Sequence, residues 1–353
     1  MFRKHFFSII VLVVLSGLFV VLQHRKSVIK NPQFEGSTMG TFYHITVIDS
    51  FTTPQTKALS KKIKAVLQKV TTEMSTWEPT SEISQFNHNK TIEPVPISPE
   101  FAFVVRRALK YSKDTDGAFD PTLQPLLDLW GFGSGAKERT VPSEAEIKEA
   151  KAKTGWKKVG CPPRAPPILQ KTNPGLALNL GAIAKGYGVD RVAQLLRKEG
   201  YKNWFVEIGG EVIVQGKNAT GIPWRIGVQY PSTNPVEERL FGILHLTTGA
   251  IATSGSYRNF IFKDKNLYSH ILDPRTGRAI YSSTLSVSVF ASTCMDADAL
   301  ATALFVMDAD EGLQWVEEHP KIEALFLVQN EAGKIFEKKS SSFAEKTGYI
   351  TQP

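Results

Sequence analysis

An α+β fold is predicted, with a two-lobed, mixed or mostly antiparallel sheet core and surrounding helices. Three observations predict it. Beyond residue 204, strand-like runs follow one another closely and are joined by short glycine-containing turns. Helical patterns are scattered among them instead of alternating strictly with strands, which argues against a doubly wound sheet. The 353 residues suffice for one large domain or two lobes with a substantial core.

The elements can be read in chain order. Residues 31–40 are expected to form a linker running into a strand, where Tyr43, Ile45 and Val47 alternate with His44 and Thr46. Thr53 and Pro54 read as cap and first residue of a helix with Ala58, Ile63, Val66, Leu67, Val70 and Met74 as its buried stripe. It ends at Ser75-Thr76-Trp77, before Pro79. Trp77 would either cover the core edge or, at a loop tip, stack on a flat ring.

Ser98-Pro99 opens the next helix, with Phe101, Val104, Val105, Ala108 and Leu109 facing inward and a tight turn at Asp116-Gly117. For Asp116 and Asp120, turn chemistry and helix capping form the first reading. Residues 130–135 read as a flexible loop. Ser143 and Glu146 form a capping box for a short helix ended by Gly155, and Pro162–Pro167 is a surface connection. Trp204–Ile208 and Val212–Gln215 flank a Gly209-Gly210 hairpin signal. Trp224–Tyr230, Phe241–Leu246, Asn259–Phe262, the alternating Leu285, Val287 and Val289, and Leu325–Val328 are further strands. Helices are expected through Leu300–Met307 and from an Asp308/Glu311 cap carrying Leu313 and Val316.

Composition excludes several function classes. The net charge of +8 is diffuse, with no arginine-rich arm or aromatic–basic repeat, so no nucleic-acid footprint is present. Cys161 and Cys294 make neither a disulfide framework nor a metal site, leaving one bridge or two free thiols. No GxSxG elbow supports a serine hydrolase. At the N-terminus, Arg3 and Lys4 precede the apolar run Phe6–Leu22, long enough at the short end to span a bilayer. No clear cleavage site follows it. The expectation is an uncleaved signal anchor and linker over residues 1–30, in the inner membrane, with residues 31–353 forming an exported, periplasm-facing domain. A cleaved signal is the rival.

The chain is organised around Asn179–Asp190 (NLGAIAKGYGVD). Three glycines and Lys185 enter a helix of about three turns, with Val189, Val192, Ala193, Leu195 and Leu196 on its apolar face and Gly200 as its stop. Such an entry could bring backbone amides and an ammonium to a phosphate, or simply pack small residues against a neighbour. It is neither a Walker A loop nor a GxGxxG fingerprint.

A second cluster lies in residues 253–302. Thr253–Ser256 is a small-residue turn. His270 precedes the turn-former Asp273-Pro274, and histidine is the side chain best placed to take a proton near neutral pH. Asp298 and Thr302, four apart on a helix, point oxygens to one face. A carboxylate with a hydroxyl suits Mg²⁺, which completes its shell with water and phosphate. Their bland reading is an Asp at a helix start and a Thr bonded to its own backbone.

The set Met39-Gly40-Thr41, Ser75-Thr76-Trp77, Asp116–Asp120 (DGAFD), Asn179–Gly186 (NLGAIAKG), His270–Gly277 (HILDPRTG) and Asp298–Ala303 (DALATA) resembles, in order and from about Met39 to Val306, the ApbE family of FAD:protein FMN transferases. The resemblance implies bound FAD and Mg²⁺, and transfer of FMN to a threonine hydroxyl of a target protein with release of AMP. It places the flavin near Met39, Trp77 and Ala118, Phe119 and Asp120, with Ile271 also in the FAD site. Asn179 and Lys185 would hold the ribityl–phosphate region. The backbone oxygen of Ala182 and the side chains of Asp298 and Thr302 would hold Mg²⁺, and His270 would be the base for the acceptor threonine. Asn179 stands where relatives carry Asp. The implied acceptors are flavin-carrying subunits of electron-transfer complexes. Two other readings use the same residues: an Mg²⁺-dependent FAD pyrophosphatase yielding FMN and AMP, and a periplasmic FAD-binding protein without turnover.

Overall fold

The computed structural model describes residues 28–136, 139–232, 239–257, 260–263 and 266–352. The expected anchor Phe6–Leu22 lies outside the described residues, as does Asn259. No helix among the described residues is long and apolar enough to cross a membrane.

The α+β expectation holds, and the sheet is simpler than expected. Its eight strands are β1 (Gln33–Thr38), β2 (Thr41–Val47), β3 (Trp204–Ile208), β4 (Glu211–Gln215), β5 (Thr248–Gly255), β6 (Thr284–Ala291), β7 (Glu323–Gln329) and β8 (Ile335–Lys339). They lie side by side in that same order, every neighbouring pair antiparallel. The sheet is a meander, and the helices are insertions into its connections.

Alternation along the strands explains why it is buried on both faces. Ala324, Phe326 and Val328 join a core beneath the helices, whereas Leu325 and Leu327 join one on the opposite face. Likewise Ile213 faces the helices, and Val212 and Val214 face away. The central strands therefore read as nearly continuous apolar runs. The far face is covered by a three-stranded sheet of Trp224–Gln229, Leu240–Leu246 and Ile350–Thr351.

Four helices cover the near face or its end: α1 (Thr53–Met74), α2 (Pro99–Asp114), α3 (Gly181–Lys198) and α4 (Cys294–Met307). α2 starts as expected, with Ser98 Oγ accepting from Phe101 N at 3.2 Å. α1 is capped one residue earlier than expected, by Thr52 in a capping box with Gln55. Its buried stripe is Leu59, Ile63, Leu67, Val70 and Met74; Ala58 is exposed. A stripe through Leu59 keeps the i, i+4, i+8 spacing with Ile63 and Leu67, which Ala58 breaks.

Other expectations need correction. Residues 31–40 are not a linker: β1 occupies Gln33–Thr38, and Phe34 is buried against α1. Its polar outer positions belong to an edge strand, which hides its pattern. Thr253–Ser256 is not a free turn, because Thr253–Gly255 ends β5 and pairs with Gly255↔Ser286 in β6. In the stretch 130–135, Trp130 is the buried last residue of the helix Gln124–Trp130, closed by Gly131 in the left-handed region at φ 84°. The Gly209-Gly210 hairpin is correct, with Ile208 paired to Glu211. Cys161 and Cys294 are both free and buried.

Candidate functional site

The glycine-rich stretch is not the approach to a helix but its first half. α3 begins at Gly181 and runs 18 residues, to Lys198. Asn179 starts it: its Oδ1 accepts from Gly181 N at 2.8 Å, while its Nδ2 donates to Gln124 Oε1 at 2.7 Å. A glycine further along lets a second helix come close. A Cβ on Gly186 would lie 2.3 Å from the Cys294 carbonyl oxygen, so only glycine fits where α3 meets α4.

That contact places the chemistry. Gly186 N donates to Asp298 Oδ2 at 2.9 Å. In a regular helix this amide is the partner of the Ala182 carbonyl. One turn further, Asp190 receives the first amides of α4, Cys294 N and Met295 N, both at 2.9 Å. The carboxylate caps the positive end of one helix from the side of the other. α3 thus delivers Ala182 and Lys185, and α4 delivers Asp298 and Thr302, in one fixed relation.

A cleft of about 540 Å³ opens above this crossing, ample for a cofactor-sized ligand. It is lined by Trp77, Ala118, Phe119, Asp120, Asn179, Ala182, Lys185, His270, Ile271, Asp298 and Thr302. Eleven of the twelve expected residues thus converge from five separate stretches. Met39 is the exception: it is absent from the lining, and its methyl group packs where a Cβ on Gly188 would stand, at 2.7 Å. It supports α3 from beneath, with its own backbone in the left-handed region at φ 48°.

The individual side chains refine their expected roles. Trp77 is 72% exposed at the cleft, which favours the stacking reading over core cover. Asp120 spends its carboxylate on its own loop, accepting from Thr122 N, Thr122 Oγ1 and Trp156 N. The turn reading of Asp120 therefore holds even though the residue borders the cleft. Thr302 does not merely bond its own backbone; its hydroxyl sits 3.1 Å from Ser254 Oγ on β5. His270 stands edge-on to Phe132, with ring centroids 6.3 Å apart.

The electrostatics centre on Lys185. Its ammonium lies 2.6 Å from Glu211 Oε1 and 3.7 Å from Asp298 Oδ1. Burial alone would lower its pKa, but the two carboxylates outweigh burial and raise it, so it stays charged. Burial raises the Asp298 carboxyl against the pull of Lys185 and Gly186. Glu211 is pushed up to about 7, mainly by burial. Its Oε2 is buried and finds no hydrogen-bond donor among the described residues.

These residues fit a magnesium site. They present one carboxylate, one hydroxyl and a first-turn carbonyl, all oxygen, beside a second buried carboxylate with an unsatisfied oxygen. Magnesium takes one or two carboxylates and leaves the rest of its shell to water and phosphate. No cluster of three His, Cys, Asp or Glu side chains with metal-binding geometry exists among the described residues, which speaks against a zinc-type cage.

Sequence reasoning missed Glu211 and Asp190. A glutamate directly after Gly209-Gly210 was visible, but an acidic residue beside a hairpin turn is ordinary; only the sheet's burial on both faces makes it costly. Asp190 carried no signal, because its partners lie more than a hundred positions away.

Comparison with known proteins agrees with this geometry. Residues 39–326 match the model of the ApbE family. The FAD:protein FMN transferase of Vibrio cholerae is 40% identical over 308 residues, covering 87% of this chain and 90% of that protein. The one from Haemophilus influenzae is 35% identical over 315 residues, covering 88% and 90%. Among solved structures, the flavin transferase ApbE from Vibrio cholerae superposes with a TM-score of 0.81 at 38% identity, over 90% of this chain and 99% of that one. The apo form of the flavinyl transferase ApbE from Pseudomonas stutzeri gives 0.80 at 34% identity, over 90% and 97%. Carrying the family's motifs in order and its fold over nearly its whole described length, this chain belongs to the ApbE family.

Proposed function

We propose that the chain transfers FMN from FAD to a threonine hydroxyl of a target protein, releasing AMP, with Mg²⁺ held by Asp298, Thr302 and the Ala182 carbonyl. One observation carries this reading. His270, Lys185, Asp298 and Thr302 line a single cleft with the residues expected around the flavin.

Phosphoryl transfer asks the protein chiefly to position and to neutralise charge. A bound magnesium ion supplies Lewis acidity and charge neutralisation at the diphosphate. Lys185, kept cationic by its two carboxylates, brings a fixed positive charge to the same region. Trp77 offers a ring face to the isoalloxazine, and Ala118 and Phe119 wall it in. Gly209 and Gly210, also in the lining, let backbone approach the ligand without side chains.

His270 takes the proton from the incoming threonine hydroxyl. The oxygen–phosphorus bond to the FMN phosphate then forms as the anhydride oxygen departs with AMP. The proton rests on the imidazole.

The apolar run Phe6–Leu22 supports attachment to the inner membrane over residues 1–30, with residues 31–353 as the transferase domain facing the periplasm. The fitting acceptors are flavin-carrying subunits of electron-transfer complexes. Incubating the protein with FAD, Mg²⁺ and such an acceptor, then weighing the acceptor, tests the activity. An FMN adduct on threonine is expected. FMN and AMP without a labelled acceptor would establish hydrolysis instead, and neither product would leave only binding. Fractionation of cells carrying the full chain tests the location.

A further inference from the structure

A second depression, of about 630 Å³, opens beside the cleft. Its walls include Ile280, Tyr281, Ser283, Leu285 and Gln329, and Tyr257 lines both cavities. Two further links join them. Ile280 N donates to Ile271 O at 3.0 Å, so this wall continues directly from the segment that carries His270. On α4, Phe305 lines the depression and its neighbour Val306 lines the cleft.

The chemistry of the lining selects the occupant. Four serines, Ser232, Ser256, Ser282 and Ser283, share the lining with apolar Leu285, Phe305 and Ile335. Among the described lining residues Glu331 is the one charged side chain, and none is Lys or Arg. A nucleotide or phosphate would want cations there. An extended neutral peptide wants the reverse: hydroxyls and amides for its backbone, and small apolar seats for alternate side chains. Tyr281, 87% exposed at the rim, is the kind of aromatic that anchors protein contacts.

We propose that this groove seats the extended segment of the acceptor protein that carries the modified hydroxyl, delivering it to His270 past Tyr257. The assignment rests on the transferase reading above. With FAD in the cleft, the acceptor would arrive from outside it, and the groove shares Tyr257 with the cleft that His270 lines.

The test uses the full chain, FAD, Mg²⁺ and a soluble flavin-acceptor domain as probe. Ser283→Arg places a long side chain in the groove from an exposed position, and Tyr281→Ala removes the rim aromatic. For Ser283→Arg, KM for the acceptor should rise at least tenfold, with kcat and FAD binding, read by flavin fluorescence, unchanged. Tyr281→Ala should raise the same KM more modestly. A photo-crosslinking residue at position 281 should capture the acceptor near its modified residue. Unaltered KM in both variants, or capture of a second copy of this chain instead, overturns the groove assignment while leaving the transferase reading intact. Failure of the wild-type chain to label the acceptor overturns both.

Discussion

In the proposed mechanism His270 removes a proton, so His270→Ala should lower transfer by ~10²–10⁴-fold without weakening FAD binding. Stopped assays of acceptor labelling beside fluorescence titration would show it. Asp298 is the proposed carboxylate ligand of the metal. Asp298→Ala should abolish turnover and Mn²⁺ binding, seen by electron paramagnetic resonance, while circular dichroism stays native. Unchanged turnover would remove the metal from the mechanism. Much of this residue-level picture was readable beforehand: an i, i+4 carboxylate–hydroxyl pair and a histidine before a turn are legible as types. What the chain alone hid was Glu211. Its significance lies in an oxygen without a donor among the described residues, and that follows from packing.

Between elements, the crossing of α3 and α4 controls the site. Gly186→Ala would drive a methyl into the Cys294 carbonyl, and overpacking of this sort costs about 1–3 kcal/mol. Urea denaturation should show that loss, with metal affinity falling alongside it as Asp298 shifts. Asp190 gives the crossing a pH signature. Burial pushes its carboxyl up to about 6, against the two amide bonds that pull it down. Its ordinary value is near 3.9, so between roughly pH 4 and pH 6 the native state holds more protons than the unfolded one. This group's contribution to stability therefore falls as pH rises through that window. The wild type should lose about 2 kcal/mol relative to Asp190→Asn between pH 4 and pH 7, measured by denaturation at both pH values. A pH-independent difference would refute it. The helices themselves were well marked in sequence, because caps such as Ser98 and Ser143 act locally. The start of α3 was not, since its N-cap is Leu180, whose side chain makes no capping hydrogen bond.

For the molecule as a whole, the meander leaves both cysteines apart and buried. Burial raises the Cys294 thiol well above its usual value and raises Cys161 too, partly offset by Arg106. Neither should react with a thiol reagent in the native state, and both should react after unfolding. Non-reducing electrophoresis should show no bridge.

The sequence by itself determined the class of fold, most helix starts, the hairpin at Gly209-Gly210 and the residue types of the cleft. These depend on periodicity, caps and turns, which are local physics. Tertiary structure alone decided that β1 is a strand, that Met39 supports a helix from beneath, that Glu211 pairs with Lys185 in the cleft and that Asp190 caps α4. Each of those depends on a partner distant in the chain. Burial and hydrogen bonding at such a position are properties of the assembled molecule, and no window of neighbouring residues contains them.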